Sequence, residues 1–162
     1  MLKRYLIAIS FLMFLIPSPS AADTSDCVSI ETDKGKVTGV FDEKAGVCSY
    51  KGIPYAAPPV GDLRFRSPRE HDPWDTPVEA FAFSPDCPQK PMSLTPSKTL
   101  IGDEDCLYMN IWHAAGAEPG LKPVMYFLHG GGFTSGAGSW DIYDGTRMAR
   151  YGDVVVVNVN YR

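Results

Sequence analysis

The sequence predicts an α/β fold in which a small antiparallel N-terminal sheet leads into a central, mostly parallel sheet. Two apolar runs, at 124–128 and 154–159, are typical of strands buried on both faces of a parallel sheet. Residues 146–150 between them can form a short helix, which completes one crossover unit. Alternating apolar and polar residues at 28–32, followed by a turn at 33–35, predict antiparallel strands near the N-terminus.

The remaining elements follow from local pattern. Residues 27–55 predict a hairpin or meander, and 107–112 predict a further strand. Prolines are frequent in 51–86, so this stretch predicts an irregular connection. The chain has 162 residues, 44% of them hydrophobic and 21% charged, a globular balance that predicts one domain rather than disorder.

The first 22 residues have the pattern of a secretory signal peptide. Lys3 and Arg4 precede an uncharged apolar run, and small residues lead to the expected cleavage after Ala22. The alternative is a membrane anchor, but a run of about 12 residues spans only about 18 Å as a helix, against the ~30 Å hydrocarbon core of a bilayer. We expect residues 23–162 to be the mature, secreted or periplasmic portion.

Charge excludes two classes of partner. Loss of the signal peptide leaves 13 of the 15 basic residues against 19 acidic ones, a formal charge of −6. No basic cluster remains in the mature portion. Nucleic acid and anionic membrane surfaces both require a positive face, so neither is expected as a partner.

All four cysteines, Cys27, Cys48, Cys87 and Cys106, lie in the mature portion. An even number in an exported protein predicts two disulfides, and spacing leaves all three pairings open. Zinc is the alternative use of four cysteines, but no two of them form a C-x-x-C half-site. We expect no metal and no organic cofactor.

A glycine-rich loop, HGGGF at 129–133, follows the first apolar run directly. Glycine lets the backbone turn sharply and bring N–H groups close to a ligand, as in the oxyanion hole of acyl-transfer enzymes. The alternatives are a phosphate-binding loop and a plain structural turn. The spacing lacks G-x-G-x-x-G and has no Gly-Lys-Ser/Thr, which disfavours phosphate.

Four segments together resemble the type B carboxylesterases, the cholinesterase-like family. EDCLYMNI at 104–111 resembles the family signature E-D-C-L-Y-L-N-I, and GIPYAAPPVG at 52–61 resembles G-I-P-[YF]-A-x-P-P-x-G. LRF at 63–65 and NYR at 160–162 follow the family order. Esterases like the hormone-sensitive lipases share the HGGG loop but lack the EDCLY segment. The resemblance covers 28–162 and implies the N-terminal portion of an α/β-hydrolase fold.

The resemblance also implies roles for individual residues. Gly131 and Gly132 would donate the oxyanion-hole amides, Cys87 would pair with Cys106, and Arg64 would form an ion pair with Glu104. Asp105 would be structural. Cys27 and Cys48 would then form the second disulfide, which the family does not generally have.

Other parts of the family's machinery are absent from residues 1–162. No G-x-S-x-G nucleophile turn occurs, and in this fold the acid and the base follow the serine in chain order. His71, His113 and His129 are therefore expected to be structural or solvated. We expect the chain to be the truncated front of a longer enzyme, inactive and aggregation-prone alone because its last strand lacks an outer partner.

The implied function is hydrolysis of small carboxylic esters by a serine and an acyl-enzyme. The alternatives are a non-catalytic cholinesterase-like binding or adhesion module and an inactive remnant. In cholinesterases a tryptophan in the loop between the two paired cysteines holds the choline cation. Residues 88–105 contain no aromatic residue, which favours a broad carboxylesterase over a choline-ester specialist.

Overall fold

The structure is a computed structural model that describes residues 29–91, 99–116 and 120–162. Its elements in chain order are β1 (Ser29–Thr32), β2 (Gly35–Thr38), β3 (Val40–Asp42), β4 (Val47–Pro54), β5 (Val78–Glu79), β6 (Tyr108–Ala114), β7 (Val124–Leu128), α1 (Thr146–Gly152) and β8 (Val155–Val159). Single 3-10 turns occur at Gly61–Leu63 and Asp141–Tyr143. The predicted signal peptide, 1–22, and Cys27 lie outside the described residues.

The smaller sheet has three strands in the order β1-β2-β5. β1 and β2 form the predicted antiparallel hairpin, closed by a turn in which Thr32 Oγ1 donates to Gly35 O at 2.7 Å. β5 adds to β2 in parallel, a pairing that the proline-rich sequence around it did not predict. Trp74 braces the hairpin, since its indole N–H donates to Lys36 O at 2.8 Å.

The larger sheet has five strands in the order β3-β4-β6-β8-β7. The α/β class is confirmed, and β7, α1 and β8 form the predicted crossover unit, with β7 and β8 parallel. The other three pairings in this sheet are antiparallel. Within the described residues the central sheet is therefore mixed, and only the β7–β8 pairing shows the expected parallel character.

The predicted single N-terminal sheet over 27–55 is divided between the two sheets. The chain leaves the small sheet after β2 and enters the large one at β3, with Gly39 between them. A Cβ at Gly39 would lie 2.5 Å from the ring of Tyr50, so only glycine lets the backbone pass this close to the buried aromatic. The antiparallel hairpin was expected, but the division of 27–55 between two sheets was not, because the close passage of Gly39 against Tyr50 leaves no local pattern in the sequence.

The edge strand differs from the expectation as well. β8 lies between β6 and β7 and is largely buried, so the last strand does have partners on both sides. β7 is the outer strand of the described sheet, and every one of its residues is exposed. The prediction that 124–128 is buried on both faces is therefore wrong for the described residues.

Buried side chains hold the helix and the sheet together. Trp112 of β6 is fully buried and packs with Val47, Ala149 and Val156, which joins β4 and β8 to α1. Burial of such side chains contributes about 1.5–3 kcal/mol each. The packing fixes α1 across the sheet, and the crossover it belongs to brings the ends of β7 and β8 side by side.

Two buried asparagines fix the register of the central strands. Asn110 Oδ1 accepts from the Gly52 amide at 2.9 Å, and Asn110 Nδ2 donates to Asn158 Oδ1 at 2.8 Å. Asn158 Nδ2 then donates to Tyr143 O at 3.0 Å. Because buried amides are costly without partners, this series of bonds favours one alignment of β6 and β8.

No helix in the described part of the chain is long and apolar enough to cross a membrane.

Candidate active site

The candidate site lies at the carboxyl ends of the parallel strands β7 and β8, where open α/β sheets place their ligands. His129 follows β7 and Tyr161 follows β8 closely, and their rings stack with centroids 4.2 Å apart and planes 14° apart. The Tyr161 hydroxyl also donates to His129 O at 2.7 Å. The two strand ends are therefore joined by one aromatic pair and one hydrogen bond.

His129 is buried, and its contacts are structural. Its Nδ1 lies 2.9 Å from Gly130 O, so the tautomer protonated at Nδ1 donates there. Its Nε2 is buried and has no hydrogen-bond partner among the described residues. The ring, stacked on Tyr161 and bonded to Gly130 O, supports the start of the glycine loop.

The glycine loop is closed by three hydrogen bonds to Gly131 O. The donors are the Thr134 amide at 3.1 Å, the Ser135 amide at 3.2 Å and the Thr134 hydroxyl at 3.0 Å. Gly131 has φ +131° and Gly132 has φ +61°. A Cβ at Gly131 would lie 1.7 Å from Ser135 O, so the turn requires glycine there.

The amides of Gly131 and Gly132 are available to an external acceptor. Both residues are exposed, and neither amide donates a hydrogen bond to any residue in the described ranges. Two unengaged neighbouring N–H groups on a rigid turn are what an oxyanion hole requires. An open cavity of about 150 Å³ lies beside the loop, lined in part by Thr134 and Ser135.

Two polar side chains, the buried Asn160 and the partly buried Asp86, anchor the loop where it returns to the sheet. Asn160 Oδ1 accepts from the Gly138 amide at 2.8 Å, and its Nδ2 donates to Pro85 O at 3.1 Å. Asp86 accepts from the Ser139 hydroxyl at 2.6 Å and from the Trp140 indole at 3.1 Å. No role was expected for these residues from the sequence alone. Asn160 stood within the NYR motif, but nothing in the motif says what its amide contacts.

The disulfide between Cys87 and Cys106 is confirmed, with their Cα atoms 5.0 Å apart. It closes the loop that contains the described residues 88–91 and 99–105, beside the glycine loop. Cys48 is also disulfide-bonded. Its expected partner, Cys27, lies outside the described residues, so that pairing stays a prediction.

Arg64 and Glu104 lie together, with Nε 2.7 Å from Oε1. Their side chains are 52% and 38% exposed, so the pair contributes at most about 1 kcal/mol. It borders an open cleft of about 550 Å³ whose wall also includes Arg66 and Arg162.

Asp105, expected to be structural, sits at the end of the disulfide loop. Its backbone amide donates to Asp103 Oδ1 at 2.8 Å. Burial, together with a hydrogen bond to Asp105, raises the pKa of Tyr108 to about 12. Burial likewise raises the pKa of Tyr55, whose hydroxyl donates to Asn160 O at 2.7 Å. Both phenols therefore remain neutral donors at physiological pH.

The other two histidines lie among different neighbours. His113 is on β6 and stacks on Tyr50 with ring centroids 5.9 Å apart. His71 packs edge-on against Trp74, with centroids 5.7 Å apart. Neither ring is among the groups that line the cavity beside the glycine loop.

Across the ranges that the structure describes, no three His, Cys, Asp or Glu side chains are grouped to hold a metal ion.

The sequence profile of the carboxylesterase family matches residues 26–162. The chain belongs to the carboxylesterase family. The resemblance seen in the four sequence motifs is thereby confirmed, and the glycine loop lies within the matched residues.

Individual relatives support the same family membership. It is 43% identical over 135 residues to the para-nitrobenzyl esterase of Bacillus subtilis (strain 168), covering 82% of this chain and 27% of that protein. It is 41% identical over 157 residues to the fumonisin B1 esterase of Sphingopyxis macrogoltabida, covering 96% of this chain and 28% of that protein. The chain thus spans just over a quarter of the length of these relatives.

Solved structures confirm the fold of this family member. A PNB esterase aligns with a TM-score of 0.72 and 42% identity, covering 83% of this chain and 27% of that one. The carboxylesterase EST55 of Geobacillus stearothermophilus aligns with a TM-score of 0.68 and 45% identity, covering 83% of this chain and 26% of that one. The described residues therefore form the N-terminal portion of an α/β-hydrolase fold.

Proposed function

We propose that the complete gene product is a carboxylic ester hydrolase and that this chain supplies its oxyanion hole. The amides of Gly131 and Gly132 stabilise the negative oxygen that forms when a nucleophile attacks the ester carbonyl. The observation that carries the proposal is the rigid turn on which both amides remain unengaged within the described residues. Each such donor lowers the barrier by roughly 3–4 kcal/mol.

The nucleophile in this proposal is a serine that forms an acyl-enzyme, with an acid and a base that follow it in chain order. Residues 1–162 contain no G-x-S-x-G, so all three groups come from the part of the gene product outside them. His113 and His71 pack against aromatic rings and take no part in the reaction. The reaction needs no metal and no organic cofactor.

The substrate class is small carboxylic esters rather than choline esters. The loop between Cys87 and Cys106 has no aromatic residue that could hold a quaternary ammonium by a cation–π contact. The proposed location is outside the cytoplasm, after cleavage of residues 1–22. The disulfide of the described structure supports an oxidising compartment.

Covalent labelling of the complete gene product tests the proposal. A fluorophosphonate probe should label one serine in proportion to the loss of p-nitrophenyl acetate hydrolysis, because it captures the activated nucleophile beside the oxyanion hole. The 162-residue chain alone should show neither labelling nor hydrolysis. A folded complete gene product that is neither labelled nor active would contradict the proposal and favour the non-catalytic binding module.

A further inference from the structure

Gln89 is a buried amide that the reaction described above does not use. Its side chain is 7% exposed, and it lies two residues after Cys87 in the disulfide-closed loop. Its backbone is held by a bridge to Ile101, with Gln89 N donating at 3.0 Å and Ile101 N donating back to Gln89 O at 2.8 Å. The backbone of Gln89 is therefore fixed within the disulfide loop.

The side chain of Gln89 extends from this loop to the glycine loop. Its Oε1 accepts from the Gly136 amide at 2.7 Å, and its Nε2 donates to Gly136 O at 3.0 Å. Nε2 also donates to Cys87 O at 3.1 Å. One amide thus pairs with both backbone groups of Gly136, as a neighbouring strand would, and uses both of its donors.

Gly136 in turn sets the closure of the glycine loop. A Cβ at Gly136 would lie 2.4 Å from Gly130 O and 2.5 Å from His129 Nδ1, so its backbone packs directly against the start of the loop. The preceding residue, Ser135, donates its amide to Gly131 O at 3.2 Å. A displacement of Gly136 therefore also displaces Ser135, and with it the hydrogen bond from the Ser135 amide to Gly131 O.

We propose that Gln89 is a positioning residue that holds the oxyanion-hole turn in its active geometry by fixing Gly136 to the disulfide loop. The inference rests on the proposed ester hydrolysis. A residue that serves stability alone would lower the melting temperature of the protein and leave turnover by the folded molecules unchanged. A positioning residue lowers kcat in folded molecules, because a shift of about 1 Å in a catalytic group costs about 10²-fold.

The experiment compares variants of the complete gene product. Gln89→Leu removes every hydrogen bond of the amide, and we expect kcat for p-nitrophenyl acetate to fall by about 10²-fold while KM stays near the wild-type value. A boronic acid that forms a tetrahedral adduct should lose affinity in step with kcat. Lys90→Leu is the matched control, since its side chain is exposed and adjacent, and it should turn over at the wild-type rate.

Gln89→Glu distinguishes positioning from packing, because glutamate keeps the size and shape of the glutamine side chain but replaces the amide NH₂ donor with a carboxyl oxygen. An ionised carboxylate faces two carbonyl oxygens and cannot donate to them, whereas a protonated one can. Gln89 lines the cavity beside the glycine loop, and the titratable groups that line it as well are His129, Tyr161 and Arg162. We expect kcat of this variant, divided by the wild-type kcat at the same pH, to rise as the pH falls. A ratio that stays as low as that of Gln89→Leu at every pH would contradict the proposal.

Hydrogen exchange gives a result that does not depend on turnover. In Gln89→Leu the peptide covering 129–138 should exchange faster than in the wild type, while a peptide covering β6 should not. Unchanged exchange at 129–138, or a wild-type kcat in folded Gln89→Leu, would overturn the role of Gln89. A different outcome separates the two proposals. If the wild-type protein hydrolyses no ester, but Gln89→Leu still exchanges faster at 129–138, the proposed function is refuted and the structural coupling between Gln89 and the glycine loop stands.

Discussion

Adding one methyl group at Gly131 should disable the proposed oxyanion hole without disturbing the rest of the fold. The Cβ of Gly131→Ala would lie 1.7 Å from Ser135 O and 2.6 Å from Ser135 C, where real contacts are at least 3.0 Å. The carbonyl and the Cβ must therefore separate by more than 1 Å. They can do so only if the turn opens, because the Ser135 amide donates to Gly131 O and so holds the two residues together.

The magnitude follows from that displacement. Backbone strain of this kind costs about 1–3 kcal/mol of stability. The displaced amide loses its aim at the substrate oxygen, and the loss of one such donor lowers kcat by about 10²–10³. We therefore expect Gly131→Ala to fold with a lowered melting temperature and to retain at most about 1% of the wild-type kcat.

Steady-state hydrolysis of p-nitrophenyl acetate by the complete gene product measures this effect. Two alanine variants calibrate it. Gly132→Ala places its Cβ where no described atom lies within 4 Å, and its φ of +61° costs about 1–2 kcal/mol, so it should lose stability but little kcat. Gly152→Ala, at the end of α1, meets only Val154 Cγ2 at 3.5 Å and should be neutral or stabilising. A folded Gly131→Ala with the wild-type kcat would refute the oxyanion assignment.

Three further predictions follow from other parts of the structure. Replacing Cys87 and Cys106 together by alanine opens a loop with a sequence separation of 19 and should cost about 3 kcal/mol of unfolding free energy, measured by urea denaturation; an unchanged midpoint would contradict this. The pKa of Tyr108 is raised to about 12 against an ordinary value of 10.0, so its contribution to the free energy of unfolding is full below pH 10 and is lost as the pH rises to about 12. Tyr108→Phe should therefore lose less stability over this pH range than the wild type. Parallel curves of unfolding free energy against pH for the two proteins would count against this role. His113→Ala should keep kcat near the wild-type value because its ring stacks on Tyr50, and loss of turnover in a folded variant would return this histidine to the catalytic candidates.

Local pattern predicted those parts of the fold that depend on neighbours in sequence. The apolar run at 124–128 is β7, with the bounds expected, and the short helix at 146–150 is the core of α1. The glycine loop was recognised because consecutive glycines after a strand are a local signal. The disulfide Cys87–Cys106 came from the family resemblance, since spacing alone left three pairings open.

Features that depend on distant contacts could not be read in this way. Gly39 gives no local sign that it passes against the ring of Tyr50, and this contact divides the predicted single sheet in two. Asn160 and Gln89 look like ordinary polar residues until the fold brings Gly138 and Gly136 to their side chains. The order of strands in the sheet also depends on distant contacts, because an apolar run in the sequence does not indicate which strand will pair with it.

The strand order also sets the sequence of events during synthesis. β3, β4 and β6 pair with one another in that order, so they can form a sheet before β7 and β8 are made. β7 cannot join them, since its strand partner in the described sheet is β8, which is completed about 30 residues later. At ~5–20 residues per second this interval lasts a few seconds. During that time the apolar segment Val124–Leu128 has no strand partner in the described sheet and is open to chaperones or to other nascent chains.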